Sequence, residues 1–271
     1  MTHIATARQF PHAQVLLLAS AFFVWSVPAF AQGPPERLSD KDVKTLIEQV
    51  DEGRDKFEGN LDGQFKGSTL QGPNGTIKVA GALQDYQDNT QKLKERFTPD
   101  YSAGTEVAAV LKQSTAIDAF MQRSAATMKG RSEWDRQAAN LKHLAAAYGT
   151  SFPLADGAAV RRMNDKETVA VAAAIATSAD RVKGDIDKTT TLAKPDKDGA
   201  KKDAELLAKQ ANAVKSRLSD GKPATSELKQ LVEQTARLEA FLVAHPIPTT
   251  TNWQAVQASV AKLQQAFGTT P

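Results

Sequence analysis

The sequence predicts an all-α protein built as two tandem four-helix bundles. Three observations carry this. Apolar residues recur at helical spacing through eight segments, and no segment alternates apolar and polar residues as a strand does. Capping residues and helix breakers bracket those segments. Finally, the pattern occurs twice, with equivalent positions 119 to 125 residues apart. The alternative is one continuous eight-helix array in which the two copies share a core, as helical repeats do. A repeat of roughly 120 residues can bury a core of its own, which favours two bundles.

The first residues have the features of a secretory signal. Met1 to Gln14 hold one cation, Arg8, and no acid; Val15 to Phe30 are almost wholly apolar; Pro28-Ala-Phe-Ala31 ends in the small-x-small pattern of a cleavage site. The apolar run is shorter than the ~20 residues a spanning helix needs, so cleavage after Ala31 is expected rather than a membrane anchor. The expected division is therefore signal peptide 1–31, first repeat 32–153 and second repeat 154–271. Removing 31 of the 271 residues leaves 240, and the loss of Arg8 leaves 33 Lys/Arg against 31 Asp/Glu. The sequence pI near 8.9 thus overstates the basic character, and neither repeat has the clustered cationic excess of a nucleic-acid binder.

In the first repeat, Gln32 to Leu38 is a Pro-rich lead-in. Ser39 is the expected N-cap of a helix over 40–62, with Asp42 as its capping-box partner and Val43, Leu46, Ile47, Val50, Phe57 and Leu61 facing inward. Residues 67–76, with Gly72-Pro-Asn-Gly75, read as a loop. Asn74-Gly-Thr76 also matches a glycosylation acceptor, though a tight turn accounts for the same residues. A second helix spans 79–98 and stops at Thr98-Pro99. The third begins near Ser102 and presents Val107, Val110, Leu111, Ile117, Phe120 and Met121. The fourth begins at Ser132, with Asp135 at the box position, and presents Trp134, Leu141, Leu144 and Tyr148 before Gly149 ends it.

The second copy follows the same order. Asn164 and Glu167 stand 125 residues after Ser39 and Asp42, and Val171, Ile175, Val182 and Ile186 follow Leu46, Val50, Phe57 and Leu61 at the same interval. Lys194 to Asp203 read as a solvated loop. Ala204, Leu207, Ala211, Val214 and Leu218 then match Leu83, Tyr86, Thr90, Leu93 and Phe97 at 121. Glu106, Gln113, Ala119 and Phe120 are identical to Glu227, Gln234, Ala240 and Phe241. Trp134, Ala139, Leu144, Ala147, Gly149 and Thr150 are identical to Trp253, Ala258, Leu263, Ala266, Gly268 and Thr269. These identities point to an internal duplication.

Reactive chemistry is poorly supplied. The chain has no cysteine, which excludes disulfides, thiolate metal sites and cysteine nucleophiles. Beyond the signal segment only His143 and His245 remain, in different copies, and no Glu-x-x-His pair is present. Asp196-Lys-Asp198-Gly199 is a fragment of a calcium loop without a closing glutamate. There is no nucleophile elbow and no phosphate loop. No catalytic, cofactor-binding or metal-ligating residue is therefore nominated, and no cofactor is expected. Trp134 and Trp253 could form a ligand platform, but their matched positions fit core anchors better. Asp55-Lys56 with Asp180-Arg181, and Lys94/Arg96 with Lys215/Arg217, are duplicated charges that fit solvated faces better than a buried pair.

The segments Ile117-Asp-Ala-Phe-Met-x-Arg123 and Trp134-x6-Leu-x2-Leu-Ala-x2-Tyr148 resemble those of a group of exported bacterial helical proteins of unknown function. Asp55-Lys-Phe57 and Leu93-Lys-Glu-Arg-Phe97 are similar to that group's Asp-Arg-Phe and Leu-x-x-Arg-Phe segments. Residues 40–152 carry the likeness well; 165–269 carry it more weakly, with Val182 in place of Phe57. The resemblance implies export and a helical fold, and attaches no activity.

Together these features predict an exported, non-catalytic structural or interaction module of the cell envelope, periplasmic or secreted. Its partner would be an envelope protein or a small molecule, with no nucleic acid and no lasting membrane anchor. The alternative is a small-molecule binder with its site between helices or between the two repeats.

Overall fold

The computed structural model describes residues 37–124, 128–245, 247 and 250–269. The expected signal segment and most of the lead-in lie outside these residues. The described chain is all-α apart from one short hairpin.

The first half contains α1 (Asp40–Asn60), the short α2 (Gly63–Lys66), the hairpin strands β1 (Thr69–Gly72) and β2 (Gly75–Lys78), α3 (Val79–Arg96), α4 (Gly104–Arg123) and α5 (Arg131–Ala147). The second half contains α6 (Asp165–Lys188), α7 (Lys194–Ser219), α8 (Thr225–Ala244) and α9 (Thr250–Ala266). Both halves open on a complete capping box: Ser39 with Asp42 starts α1, and Asn164 with Glu167 starts α6. In each box the cap side chain accepts from the third helical N–H and the acid accepts from the cap N–H, so two orphan donors are satisfied at once.

Each half closes a ring of four long helices. α1 and α4 each pack against both α3 and α5, while α6 and α8 each pack against both α7 and α9. The apolar stripes meet in two separate cores. One runs from Val43 to Phe152 and the other from Ala172 to Phe267. The two bundles therefore do not share a core, which is the arrangement expected over the continuous array.

Polar contacts repeat along with the cores. Gln113 Nε2 donates to the carbonyl of Ala82 at 3.0 Å, and Gln234 Nε2 donates to that of Asp203 at 3.0 Å. Arg96 pairs with Glu106 at 2.8 Å, as Arg217 does with Glu227 at 3.5 Å. The helix-ending turns match as well: Gly149 and Gly268 take φ of 66° and 63°, and the N–H of Thr150 and of Thr269 reaches back to Ala145 and Gln264. A left-handed residue after the last turn lets the chain satisfy those carbonyls, and only glycine adopts it without strain.

Trp134 is fully buried. Its indole N–H donates to Asp118 Oδ1 at 2.8 Å and its ring lies 4.9 Å from that of Phe57. Trp253 is buried in the second core. Both are core anchors, as expected. The duplicated charges face water: Asp55 is 65% exposed beside Arg54, and Lys56 pairs with Glu52 at the surface.

Four local expectations are corrected. Residues 69–78 form a hairpin rather than a loop, with Leu70 inserted into the first core and Pro73-Asn74 making the turn. Four-residue strands are too short to show a period in the sequence. Residues 194–203 are the first turns of α7, not a loop. Pro195 sits in the first turn, where its missing N–H removes no helical bond, and Ala200 and Ala204 are buried.

Ser132 does not cap α5. That helix starts one residue earlier, from Gly130 at φ 87°, where a Cβ would stand 3.4 Å from the backbone of Leu61. Ser132 bonds to Glu133, and Asp135 pairs with Arg131. α4 begins near Ser102 as expected, after the left-handed Ala103, and the Ser102 hydroxyl donates to the carbonyl of Arg162 at 2.9 Å. The segment between the halves belongs physically to the first: Phe152, Leu154 and Val160 pack on its core, and the N–H of Leu154 donates to Thr115 at 2.9 Å.

Candidate functional site

A cluster of paired charges sits where the halves join. The N-termini of α1 and α6 face each other across this junction, and their first residues cap one another. The N–H of Asp40 donates to Asp165 Oδ2 at 2.8 Å, and the N–H of Asp165 donates to Asp40 Oδ2 at 2.9 Å. Two arginines close the set. Arg37 donates to Asp165 Oδ1 at 2.7 Å and to the carbonyl of Met163 at 2.8 Å. Arg162 donates to Asp40 Oδ1 and, at 2.7 Å, to the carbonyl of Leu38. Every member of one half has its counterpart 125 residues away in the other, so the junction is self-complementary, like the interface of a two-fold dimer.

Its electrostatics follow from the helices. Two helix N-termini brought together would present two partial positive charges to each other; a carboxylate at each offsets them, and a guanidinium balances each carboxylate. The arginine side chains are only 5% and 3% exposed, so the pairing is obligatory: removing one member would leave a buried charge unpaired. Burial, then the nearby Arg162, lowers the Arg37 pKa from its ordinary value, while Asp165 and Asp40 act to raise it. The guanidinium also lies 5.9 Å from the centre of the Phe267 ring, at the end of the second bundle.

A crevice of about 1090 Å³ opens beside this junction. α1 and the end of α5 form one side, residues 160–163 of the connecting segment another, and residues 265–268 at the end of α9 the third. Leu46, Ala147, Val160 and Phe267 contribute apolar surface. Arg161 and His143, both exposed, bring positive or titratable groups, while the capping acids Asp42 and Glu167 bring negative ones. Tyr148 sits close by with its hydroxyl bonded to the carbonyl of Ser102, and burial pushes its pKa up. It is therefore a neutral donor at ordinary pH.

A smaller cavity of about 170 Å³ lies between α1 and α5. Beneath it the fully buried Gln137 donates to the carbonyl of Val50 at 2.8 Å and meets the hydroxyl of Tyr86. Desolvation raises the Tyr86 pKa to about 12. The equivalent residues of the second half, Leu207 and Val256, are apolar and fully buried, so this polar cluster belongs to the first half.

Among the described residues no group of three or more His, Asp or Glu side chains is placed to hold a metal ion. His143 lines the crevice, while His245 ends α8, stacked on Phe241 at 4.4 Å. Sequence reasoning passed over Arg37, Asp40, Arg162 and Asp165. Their signal in the sequence is the pair Arg37-Leu-Ser-Asp40 and Arg162-Met-Asn-Asp165, which extends the repeat upstream of the capping residues and into the Pro-rich lead-in. Compared with protein-family models, curated proteins and solved structures, the chain matches none of them.

Proposed function

We propose that this chain is an exported, non-catalytic interaction module of the cell envelope, descended from a duplicated four-helix unit, that holds a small molecule in the crevice between its two bundles. The observation that carries this reading is the position of the crevice. A cavity of about 1090 Å³, just above the usual size range of small-molecule sites, lies where the halves meet, bordered by apolar side chains and by charges of both signs. The arrangement supports binding rather than turnover. The two carboxylates that line it, Asp42 and Glu167, are engaged in capping boxes, where each accepts from the backbone N–H of its cap residue. Export rests on the residues of the expected signal segment.

The test is native mass spectrometry of the chain purified from its own cell envelope, together with an Ala146→Trp variant. Ala146 is exposed and lines the crevice, so an indole there fills the space without entering the core. A co-purifying small molecule should be present in the parent chain and lost from the variant. Equal occupancy in both, or none in the parent, overturns the reading.

A further inference from the structure

The two bundles meet through polar contacts around two helix ends rather than through shared apolar surface. Each long helix packs on neighbours of its own half, and the two cores are separate. The contacts that bridge them include the reciprocal Arg37–Asp165 and Arg162–Asp40 pairs, the mutual capping of Asp40 and Asp165, the Arg37 guanidinium over the Phe267 ring, and an exposed ion pair from Lys166 to Asp100 at 2.6 Å. A joint of this kind differs from a packed core in what rotation disrupts. Turning one bundle relative to the other about the paired helix ends breaks no apolar packing inside either bundle. Relative motion is common for units joined by polar contacts without a shared apolar core.

We propose that this four-residue clasp is a hinge, and that Arg37 and Arg162 hold it in the closed position seen here. The crevice shares its walls with that hinge: Arg37 and Arg162 line it, α1 and α5 belong to one bundle, and residues 265–268 to the other. Rotation about the clasp therefore widens or narrows its mouth. In that respect the inference rests on the crevice being the binding site, since the hinge would then gate it. The movement itself stands on the geometry of the junction alone. Hinge closure around a ligand is a known form of domain motion, with the angle change absorbed by a few residues at element ends, and Leu38-Ser39 and Met163-Asn164 are such positions.

The chain has no cysteine, so a distance measurement can be made on the full protein. Spin labels at Asp88→Cys and Lys209→Cys, exposed and equivalent positions on α3 and α7, report the separation of the bundles by pulsed electron resonance, without any ligand. A narrow distribution is expected for the parent. Arg37→Gln and Arg162→Gln should each shift or broaden it by several ångströms, while hydrogen exchange at the two cores stays protected. Asp100→Asn, which removes only the exposed pair, should leave it unchanged. An unaltered distribution in both arginine variants overturns the proposal. So does simultaneous loss of protection in both cores, because the junction would then belong to one cooperative unit. Failure to find a bound molecule would count against the crevice reading and leave these distances untouched.

Discussion

Gly53 and Gln137 show how much one residue can depend on another far along the chain. Glycine inside a helix normally weakens it by about 1 kcal/mol relative to alanine, so Gly53→Ala on α1 would be expected to stabilise. In the folded protein the added Cβ would stand 2.0 Å from Gln137 Oε1. That amide is fixed, because its nitrogen is committed to Val50 and Tyr86. The sign therefore reverses: Gly53→Ala should destabilise by about 1–3 kcal/mol, the usual range for overpacking. Gly59→Ala on the same helix meets nothing within 4 Å and should not destabilise. Chemical denaturation of the two variants side by side checks the difference. Arg37 and Arg162 make the same point for charge. In sequence they look like ordinary surface cations; in the fold they are buried because each has a carboxylate and a carbonyl waiting in the opposite half.

Two pairs of helices begin here by different routes, and the difference is measurable. α1 and α6 are started by side chains, Ser39 and Asn164, each in a closed capping box. α4 and α5 are started by backbone shape, from the left-handed Ala103 and Gly130 without a side-chain cap. Ser39→Ala and Asn164→Ala should each lower stability by about 1 kcal/mol, whereas Ser132→Ala, which removes a hydroxyl bonded only to Glu133, should have little effect. Thermal unfolding of the three variants decides this, and an equal loss at Ser132 would contradict the assignment. Side-chain caps are legible in a sequence because the residue types and their spacing are themselves the cause. Backbone-started helices are not: the left-handed turn before α5 leaves no side-chain cap to read, and Gly130 there packs against the backbone of Leu61, 69 residues earlier.

For the whole molecule, the expected cleavage after Ala31 sets a simple constraint. The mature chain would begin at Gln32, five residues before Arg37, so the hinge lies almost at its start. Mass measurement of the exported protein should return the 240-residue chain, and a product beginning beyond Arg37 would be incompatible with the closed clasp. Within each helix the buried stripe follows the helical period in both halves, while the interval between equivalent positions shifts from 125 to 119 residues along the chain. The boundary was harder to see: Leu154 and Val160 look like the start of the second unit, yet they pack on the first core, a choice made by contact and not by composition.

The periodicity, caps and repeated tryptophans were enough to determine an all-α chain of two four-helix units, because helical spacing and capping act between residues a few positions apart. The hairpin at 69–78, the first turns of α7, the crevice and the Arg–Asp clasp depended on the assembled fold. Each is decided by groups that are distant in the chain and become neighbours only when the two halves meet or a core closes over them.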